Sequence, residues 1–348
     1  MRAAIIGTGG IAHTHAQSIR SLGHSVSLVV GHTLPSAQRF AGEYGCECFT
    51  DTLTEEQLKK VDCVHVCAPP ERHYELVKLC LESGKHVLCE KPLSLRYEDA
   101  KELSALAEAK GVVAAVDFNN RFYPTCTQVR GLVAEMGDPV LIHGHYQQEF
   151  NILPCPYSWR YREATRATSE IGSHFIDLMR YLTGLEVEAV SAVFQTLQPE
   201  GRVRDGLFYP DGEGEAVTVS NEDTAVVTFR LSGGAVASAV FSEISPGRSN
   251  DLSLEILSAS RSVSWCSESP YQVVTGEKAK GLTCRTSAFG GGFTDTFTDC
   301  FRAFYCAVET GLRDPRLATF RDGAVNTLIC SCIAQSAHNG GTFVPVRE

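Results

Sequence analysis

The chain has 348 residues, a formal net charge of -10 and an ordinary 21% of charged residues. That length accommodates two domains, and the acidic balance argues against a nucleic-acid or membrane-surface binder, which needs a basic face. No apolar run reaches the ~18–20 residues of a membrane span, and strand residues begin right after Met1 where a secretory leader would lie, so a cytoplasmic protein is expected.

Residues 1–120 alternate strand and helix. The spacing predicts a strand over RAAIIG, a helix over Ile11–Leu22, a strand over 25–30 and a helix over Ser36–Tyr44. A strand follows over 61–70, ended by two prolines, then a helix over Glu71–Ser83, a strand over 86–92, a helix over Tyr97–Lys110 and a strand over 111–118. Strands alternating with helices of 10–15 residues imply βαβ units: an α/β fold with a doubly wound parallel sheet, taking ligands at the carboxyl ends of its strands. Beyond residue 120 the texture changes. A helix is predicted over Thr125–Met136, a strand over 139–150, a proline-rich loop at 154–156, and a helix over 169–183 capped by Gly184. Alternating runs at 187–196, 223–231, 234–242, 252–260 and 262–266 predict one antiparallel sheet with a hairpin at Ser232-Gly233-Gly234. The stretch 200–216 reads as an exposed loop, and helices return over 293–310 and 321–338.

Fourteen cysteines without a leader point to reduced thiols. Cys63, Cys67, Cys80, Cys330 and Cys332 lie in apolar runs and act there as small hydrophobes. Cys46-Glu47-Cys48 has no second Cys/His pair at zinc spacing nearby, so no metal is expected.

Three segments carry chemistry. Gly7-Thr8-Gly9-Gly10-Ile11-Ala12 is a G-x-G-x-x-A turn between a strand and a helix, the context in which a helix N-terminus receives a dinucleotide pyrophosphate. The second strand ends Val29-Val30-Gly31-His32-Thr33 with no carboxylate for a ribose 2′-hydroxyl, and Arg39 lies one helix away, which favours NADP over NAD. Cys89-Glu90-Lys91-Pro92 places a lysine at a strand end, kept out of helix by the proline. It is either a solvated terminus or a group that hydrogen-bonds a substrate hydroxyl. In Ser169-Glu170-Ile171-Gly172-Ser173-His174-Phe175-Ile176-Asp177, a regular helix would put Glu170, His174 and Asp177 on one face. That array suits proton transfer, or is an ordinary polar helix face.

Taken together, GTGGIA, APPERH (68–73), HVLCEKPL (86–93), NRFYP (120–124), SEIGSHFIDLMRYLTG (169–184) and the closing SAHNGG (336–341) resemble the Gfo/Idh/MocA oxidoreductases over nearly the whole chain. The resemblance implies a Rossmann domain over 1–120. It also implies an α/β domain over 121–348 with a large, mostly antiparallel open sheet that builds a homodimer or homotetramer, its final helices packing back toward the first domain. It implies an NADP- or NAD-dependent hydride transfer with a hydroxyl or ketone of a sugar, sugar derivative or cyclitol. Lys91 then corresponds to the catalytic lysine, with Glu90 beside it at the cofactor, and His174 to the proton-exchanging histidine. Glu170 stands where many members have Asp, to orient His174 or bind a substrate hydroxyl, and Asp177 supports His174 or the domain contact. Trp159-Arg160 matches a pair near the nicotinamide and phosphates, and Asn119 and Arg121 a segment bordering cofactor and substrate. Ala68, Pro69 and His73 match the loop over the cofactor, although Ala68-Pro69-Pro70 departs from the usual Thr-Pro-Asn. His32 is placed at the cofactor and Tyr157 at the substrate; the Tyr157 ring either stacks on a sugar face or packs within its loop. Relatives of two other kinds share this fold: NAD-dependent glycosidases that oxidise transiently with the same hydride machinery, and dinucleotide-binding regulatory proteins, against which the intact set of Lys91, Glu170 and His174 argues.

Overall fold

The computed structural model describes residues 1–162, 164–287 and 292–348. The chain splits into two compact units, Met1–Tyr123 with Gly291–Thr327, and Pro124–Gly290 with Leu328–Glu348.

The first unit runs β1 (Arg2–Ile6), α1 (Gly10–Ser21), β2 (Ser25–Val30), α2 (Leu34–Tyr44), β3 (Phe49–Thr50), α3 (Glu55–Leu58), β4 (Cys63–Val66), α4 (His73–Glu82), β5 (His86–Cys89), α5 (Tyr97–Lys110) and β6 (Ala114–Val116). The strands form one parallel sheet in the order β3-β2-β1-β4-β5-β6. The strand order reverses between β1 and β4, so their carboxyl ends open a crevice of the kind that takes ligands in such sheets. Ala3 to Ile5, Cys63 to Val66 and Val87 to Cys89 are buried throughout, because helices cover both faces of the sheet. The expected strand over 61–70 is shorter than predicted. Pro69 and Pro70 close it, a 3-10 turn spans Pro70–Arg72, and α4 starts at His73 rather than Glu71. Gly111 caps α5 at φ 63°, so β6 begins only at Ala114.

The second unit holds α6 (Pro124–Glu135), β7 (Leu141–Gln147), β8 (Cys155–Pro156), a π-helical turn (Thr168–Gly172) and α7 (Ser173–Thr183). Then come β9 (Val187–Gln195), β10 (Glu200–Arg204), β11 (Leu207–Tyr209), β12 (Glu215–Thr218), β13 (Thr224–Leu231) and β14 (Val236–Ser242). They are followed by β15 (Asp251–Leu257), β16 (Arg261–Cys266), β17 (Gln272–Glu277) and β18 (Gly281–Thr286). The chain ends with α8 (Phe293–Thr310), which belongs to the first unit, α9 (Phe320–His338), and β19 (Val344–Pro345). Nine strands form a largely antiparallel sheet, β18-β17-β16-β15-β7-β14-β13-β9-β19, in which β14 and β7 run parallel. The expected large antiparallel sheet is therefore present, wider and with one parallel pair. The 200–216 stretch is not a loop: β10, β11 and β12 form a small sheet with β8, which itself lies in the expected proline-rich loop. Glycine, acid and arginine residues dominate those strands and hide their alternation; Phe208 anchors them against Cys155 and Tyr161.

The hairpin turn falls at Ser232–Gly234 as predicted, joining β13 to β14 with Gly233 at φ 74° and Gly234 at φ 81°. On β13, Ala225, Val227, Phe229 and Leu231 are buried while Val226, Thr228 and Arg230 face out. Phe297, Phe301 and Phe304 of α8 enter an apolar core of the first unit, with Ile5 and Val29. All fourteen cysteines are free thiols. Among the described residues, no helix is long and apolar enough to cross a membrane.

Candidate active site

β1 ends at Ile6, and Gly7 turns the chain at φ 111°, its N–H donating to Val30 O at 2.8 Å. A Cβ at Gly7 would lie 2.4 Å from the Cys67 carbonyl oxygen. This glycine is therefore required by the approach of β1 to the chain leaving β4. Gly9 and Gly10 differ: a Cβ at either would meet nothing within 4 Å. Gly9 caps α1 in extended conformation, and no side chain caps the helix end. The turn Gly7-Thr8-Gly9-Gly10-Ile11 thus leaves open space in front of a helix N-terminus. That fits the bulky anion of a dinucleotide. Past β2, a Cβ at Gly31 would press 2.8 Å from Ala37 N at the start of α2, so no carboxylate fits there. His32 and Arg39 are exposed nearby in sequence.

The carboxyl ends of β4, β5 and β6 are tied together. Glu90 N–H donates to Val66 O and Asp117 N–H to Cys89 O, each at 2.9 Å. Lys91 follows Glu90, and its N–H donates to Glu90 Oε2 at 3.2 Å. Ala68 and Pro69 follow β4, as predicted for a loop over the cofactor. His73 is fully buried instead of lining that loop's surface: its ring nitrogens contact Ala68 O at 2.7 Å and Pro92 O at 2.8 Å. Burial pushes its pKa down, opposed by those two carbonyls. His73 braces the two strand-end loops that carry Ala68 and Lys91. Asn119 is likewise buried, donating to Thr296 Oγ1 at 2.8 Å, and Arg121 lies 3.7 Å from Asp322.

Sequence reading missed a buried polar cluster behind Lys91. His15 Nε2 is 3.0 Å from Glu90 and 3.4 Å from Asp117, and His15 Nδ1 is 3.0 Å from His65 Nδ1. His65 Nε2 reaches the Tyr305 hydroxyl at 2.8 Å. Burial pushes the Asp117 carboxyl up to about 6 and holds His65 well below the ordinary histidine range. These residues come from α1, β4, β5, the end of β6 and α8, so no local spacing announces them.

In the second unit the expected regular helix over 169–183 is a π turn at Thr168–Gly172 followed by α7. Glu170 lies in the π turn and therefore does not share a regular helix face with His174 and Asp177, which keep their i,i+3 spacing within α7, Asp177 being buried. Arg160 Nε donates to Glu170 Oε2 at 2.7 Å, and the Arg160 guanidinium sits 4.6 Å from the Trp159 ring centroid. The His174 ring meets Tyr146 of β7 edge-on at 6.1 Å, a neighbour the sequence did not indicate. Tyr157 stacks on Tyr161 at 5.1 Å against the small sheet, the packing alternative for that ring.

The π turn is anchored from below. The Arg166 and Thr168 N–H groups donate to Glu222, and Arg166 Nε lies 3.3 Å from Glu243. Burial pushes the Glu243 carboxyl up to about 7, against the pull of Arg166. Gly172 lets the turn touch Phe241, whose ring carbon would lie 2.6 Å from a Cβ there.

Family models match both parts of the chain: an oxidoreductase family with an NAD-binding Rossmann fold over residues 1–118, and a GFO/IDH/MocA C-terminal domain over 127–263. The chain belongs to the Gfo/Idh/MocA oxidoreductase family. It is similar to the levoglucosan dehydrogenase of Pseudarthrobacter phenanthrenivorans, 30% identical over 64% of this chain and 58% of that protein. It is also 30% identical to the myo-inositol 2-dehydrogenase of Thermotoga maritima, over 68% of this chain and 66% of that one. The chain thus spans less than two thirds of the length of these two relatives. A levoglucosan dehydrogenase structure in complex with NADH and L-sorbose superposes with a TM-score of 0.91 over 100% of this chain and 99% of that one, at 24% identity. The last comparison speaks to the fold.

Proposed function

We propose that this protein is a nicotinamide-dinucleotide-dependent dehydrogenase acting on a hydroxyl, or in reverse a ketone, of a sugar, sugar derivative or cyclitol. One observation carries the reading. At the carboxyl ends of β1 and β5, a glycine turn open at Gly9 and Gly10 faces a helix N-terminus, and Lys91 follows Glu90 on the same sheet edge. The names of the similar levoglucosan and inositol dehydrogenases support the substrate class.

Gly7 to Ile11 would hold the pyrophosphate, with Ala68 and Pro69 over the dinucleotide and Trp159, Arg160 and Asn119 around it. The nicotinamide, when bound, supplies the hydride acceptor. Lys91 donates a hydrogen bond to the reacting oxygen and stabilises its developing charge. His174 takes the hydroxyl proton as a general base. Arg160 holds the Glu170 carboxylate, and Glu170, Arg121 and Tyr157 position the sugar or cyclitol. The cofactor is NAD or NADP. The closed space at Gly31 and the exposed His32 and Arg39 support tolerance of a 2′-phosphate, while the NADH in the similar levoglucosan dehydrogenase structure supports NAD. The outward-facing cross-strand pair Val193 and Val226, with Val236 exposed on the same face of the nine-stranded sheet, supports a homodimer or homotetramer formed through that face. Fourteen free thiols support a reducing, cytoplasmic setting.

Purified protein is mixed with sugars, sugar phosphates and cyclitols, with NAD⁺ and NADP⁺ in separate runs, and the reduced-nicotinamide absorbance is followed. Growth of that band with one substrate class and one cofactor is expected. Binding of NADH and NADPH both absent by fluorescence titration refutes the reading.

A further inference from the structure

Three consecutive polar residues, Asn221, Glu222 and Asp223, are buried in the connection from β12 to β13, each no more than 3% exposed. Polar side chains are rarely buried unless they are paired. Here all three reach back to one stretch of the second unit, residues 160–168.

Glu222 takes the start of the π turn. Its carboxylate accepts the Arg166 N–H at 3.1 Å and the Thr168 N–H at 2.8 Å, and its backbone carbonyl accepts the Ala167 N–H at 3.2 Å. Three successive N–H groups thus end on one residue 54 to 56 positions further along the chain. A helix start leaves such donors open unless something caps them, and Ala167 at the N-cap has no side chain to do so. Hydrogen bonds from N–H to a carboxylate are stronger than neutral ones, and negative charge is favoured at this end of a helix. Glu222 therefore sets where the turn begins. Glu170 follows from that start, its N–H donating to Arg166 O at 2.8 Å.

Asn221 holds the other partner of Glu170. Its Nδ2 donates to Arg160 O at 2.7 Å, and Arg160 Nε donates to Glu170 Oε2 at 2.7 Å. Adjacent residues of one connection thereby fix both sides of the Arg160–Glu170 pair. Asn221 acts on the Arg160 backbone and Glu222 on the backbone of the π turn. The buried Arg166 guanidinium balances charge in this cluster, lying 3.6 Å from Asp223 and 3.3 Å from Glu243.

We infer that Asn221 and Glu222 are positioning residues for Glu170, setting where its carboxylate stands toward a bound sugar or cyclitol. The inference rests on the dehydrogenase reading above, in which Glu170 positions the substrate.

The test compares Glu222→Ala, Glu222→Gln and Asn221→Ala, each also made in a Glu170→Ala background. The readouts are KM and kcat on the substrate from the panel, NADH titration, thermal melting and hydrogen exchange of peptides covering 164–175. A group misplaced by about 1 Å costs ~10²-fold, so Glu222→Ala is expected to lower kcat/KM by about that factor, mostly as a raised KM. Its NADH affinity should stay within a few-fold of wild type, because the glycine turn lies in the first unit. Glu222→Gln keeps one acceptor oxygen and leaves Arg166 paired with Asp223 and Glu243, so it should recover roughly 10-fold of that loss. Asn221→Ala loses one hydrogen bond, worth about 10-fold. In the Glu170→Ala background each change should cost no more than ~2-fold further, because its route runs through Glu170.

An equal loss in both backgrounds overturns the inference, since the residues then serve the fold alone. Wild-type KM and kcat in a folded Glu222→Ala protein also overturn it. Where Glu222→Ala does not fold, Glu222→Gln and Asn221→Ala carry the comparison. A wild type that neither binds NADH nor turns over refutes the dehydrogenase reading instead, and hydrogen exchange then decides the hold of Glu222 on the turn. The Arg166 to Thr168 amides should exchange about 10-fold faster in Glu222→Gln than in the wild type, and equal rates overturn the inference.

Discussion

Gly7→Ala and Gly9→Ala should fail in different ways, although the two glycines stand two residues apart in one motif. At Gly7 an added Cβ would lie 2.4 Å from Cys67 O and 2.6 Å from Cys67 C, where real Cβ atoms essentially never come within 3.0 Å. Those are backbone atoms of the β4 exit and cannot rotate away. The φ of 111° adds a conformation that L residues rarely adopt, worth about 1–3 kcal/mol. Overpacking of a rigid site costs a further ~1–3 kcal/mol. At ~2–4 °C per kcal/mol for a domain of this size, the Gly7→Ala melting temperature should fall by roughly 5–15 °C without any ligand. At Gly9 the backbone is extended and the Cβ meets nothing within 4 Å. The free protein should lose at most about 1 kcal/mol there, the difference between glycine and alanine as an N-cap. Its methyl would instead occupy the space in front of α1, so NADH affinity should fall about 10-fold or more, equivalent to ~1.4 kcal/mol. Thermal melts read the first effect and fluorescence titration with NADH the second. A Gly7→Ala protein that melts with the wild type, or a Gly9→Ala protein that binds NADH equally well, would refute this reading of the turn.

Three further outcomes are expected. Glu243 has a folded-state pKa of about 7 against an ordinary 4.5; such a group keeps its proton longer in the folded than in the unfolded chain, so stability should decline as pH rises across that window, by ~3 kcal/mol at most. Glu243→Gln should flatten the pH dependence of the melting temperature between pH 5 and 8 by removing this titration, and an unchanged slope would count against it. Gly172→Ala places a Cβ 2.6 Å from the Phe241 ring, which should cost ~1–3 kcal/mol and lower kcat more than NADH affinity, because the π turn carrying Glu170 must shift. Val226→Glu, on the outward face of β13, should convert the proposed homodimer or homotetramer to monomers in light-scattering chromatography with the melt of the isolated chain preserved; a mass equal to that of the wild type removes that face from the proposed interface.

The strand-helix alternation of the first unit was readable because each strand is a short apolar run bounded by glycine, proline or a cap. Its two smallest elements were not. β3 has two residues and α3 four, too short to leave a period. In the second unit, β13 and β14 announce themselves through alternating Val, Ala and Phe, whereas β10 and β12 carry Gly, Arg and Glu and their stretch reads as loop, and β17 and β18, with Gly, Thr and charged residues, have no predicted strand. The π turn at Thr168–Gly172 was invisible for another reason. Its sequence is compatible with a regular helix, and the departure is imposed by tertiary contacts: Glu222 receives the Arg166 and Thr168 N–H groups, and Phe241 presses on Gly172. The site was legible where chemistry and spacing coincide in one segment, as at Gly7 to Ile11 and at Glu90-Lys91. It was illegible where α1, β5 and the end of β6 bring His15, Glu90 and Asp117 together across a hundred residues, or where Tyr146 meets His174 from a neighbouring strand.

The central claim is hydride transfer served by Lys91 and His174. Its most direct test is the steady-state rate of nicotinamide reduction by the wild type, Lys91→Ala and His174→Ala on the substrate identified from the panel, with NADH affinity measured alongside. The account predicts NADH affinity within a few-fold of wild type for His174→Ala, and a kcat lower by about 10²–10⁴-fold in both variants. Near-wild-type turnover in either variant would contradict it.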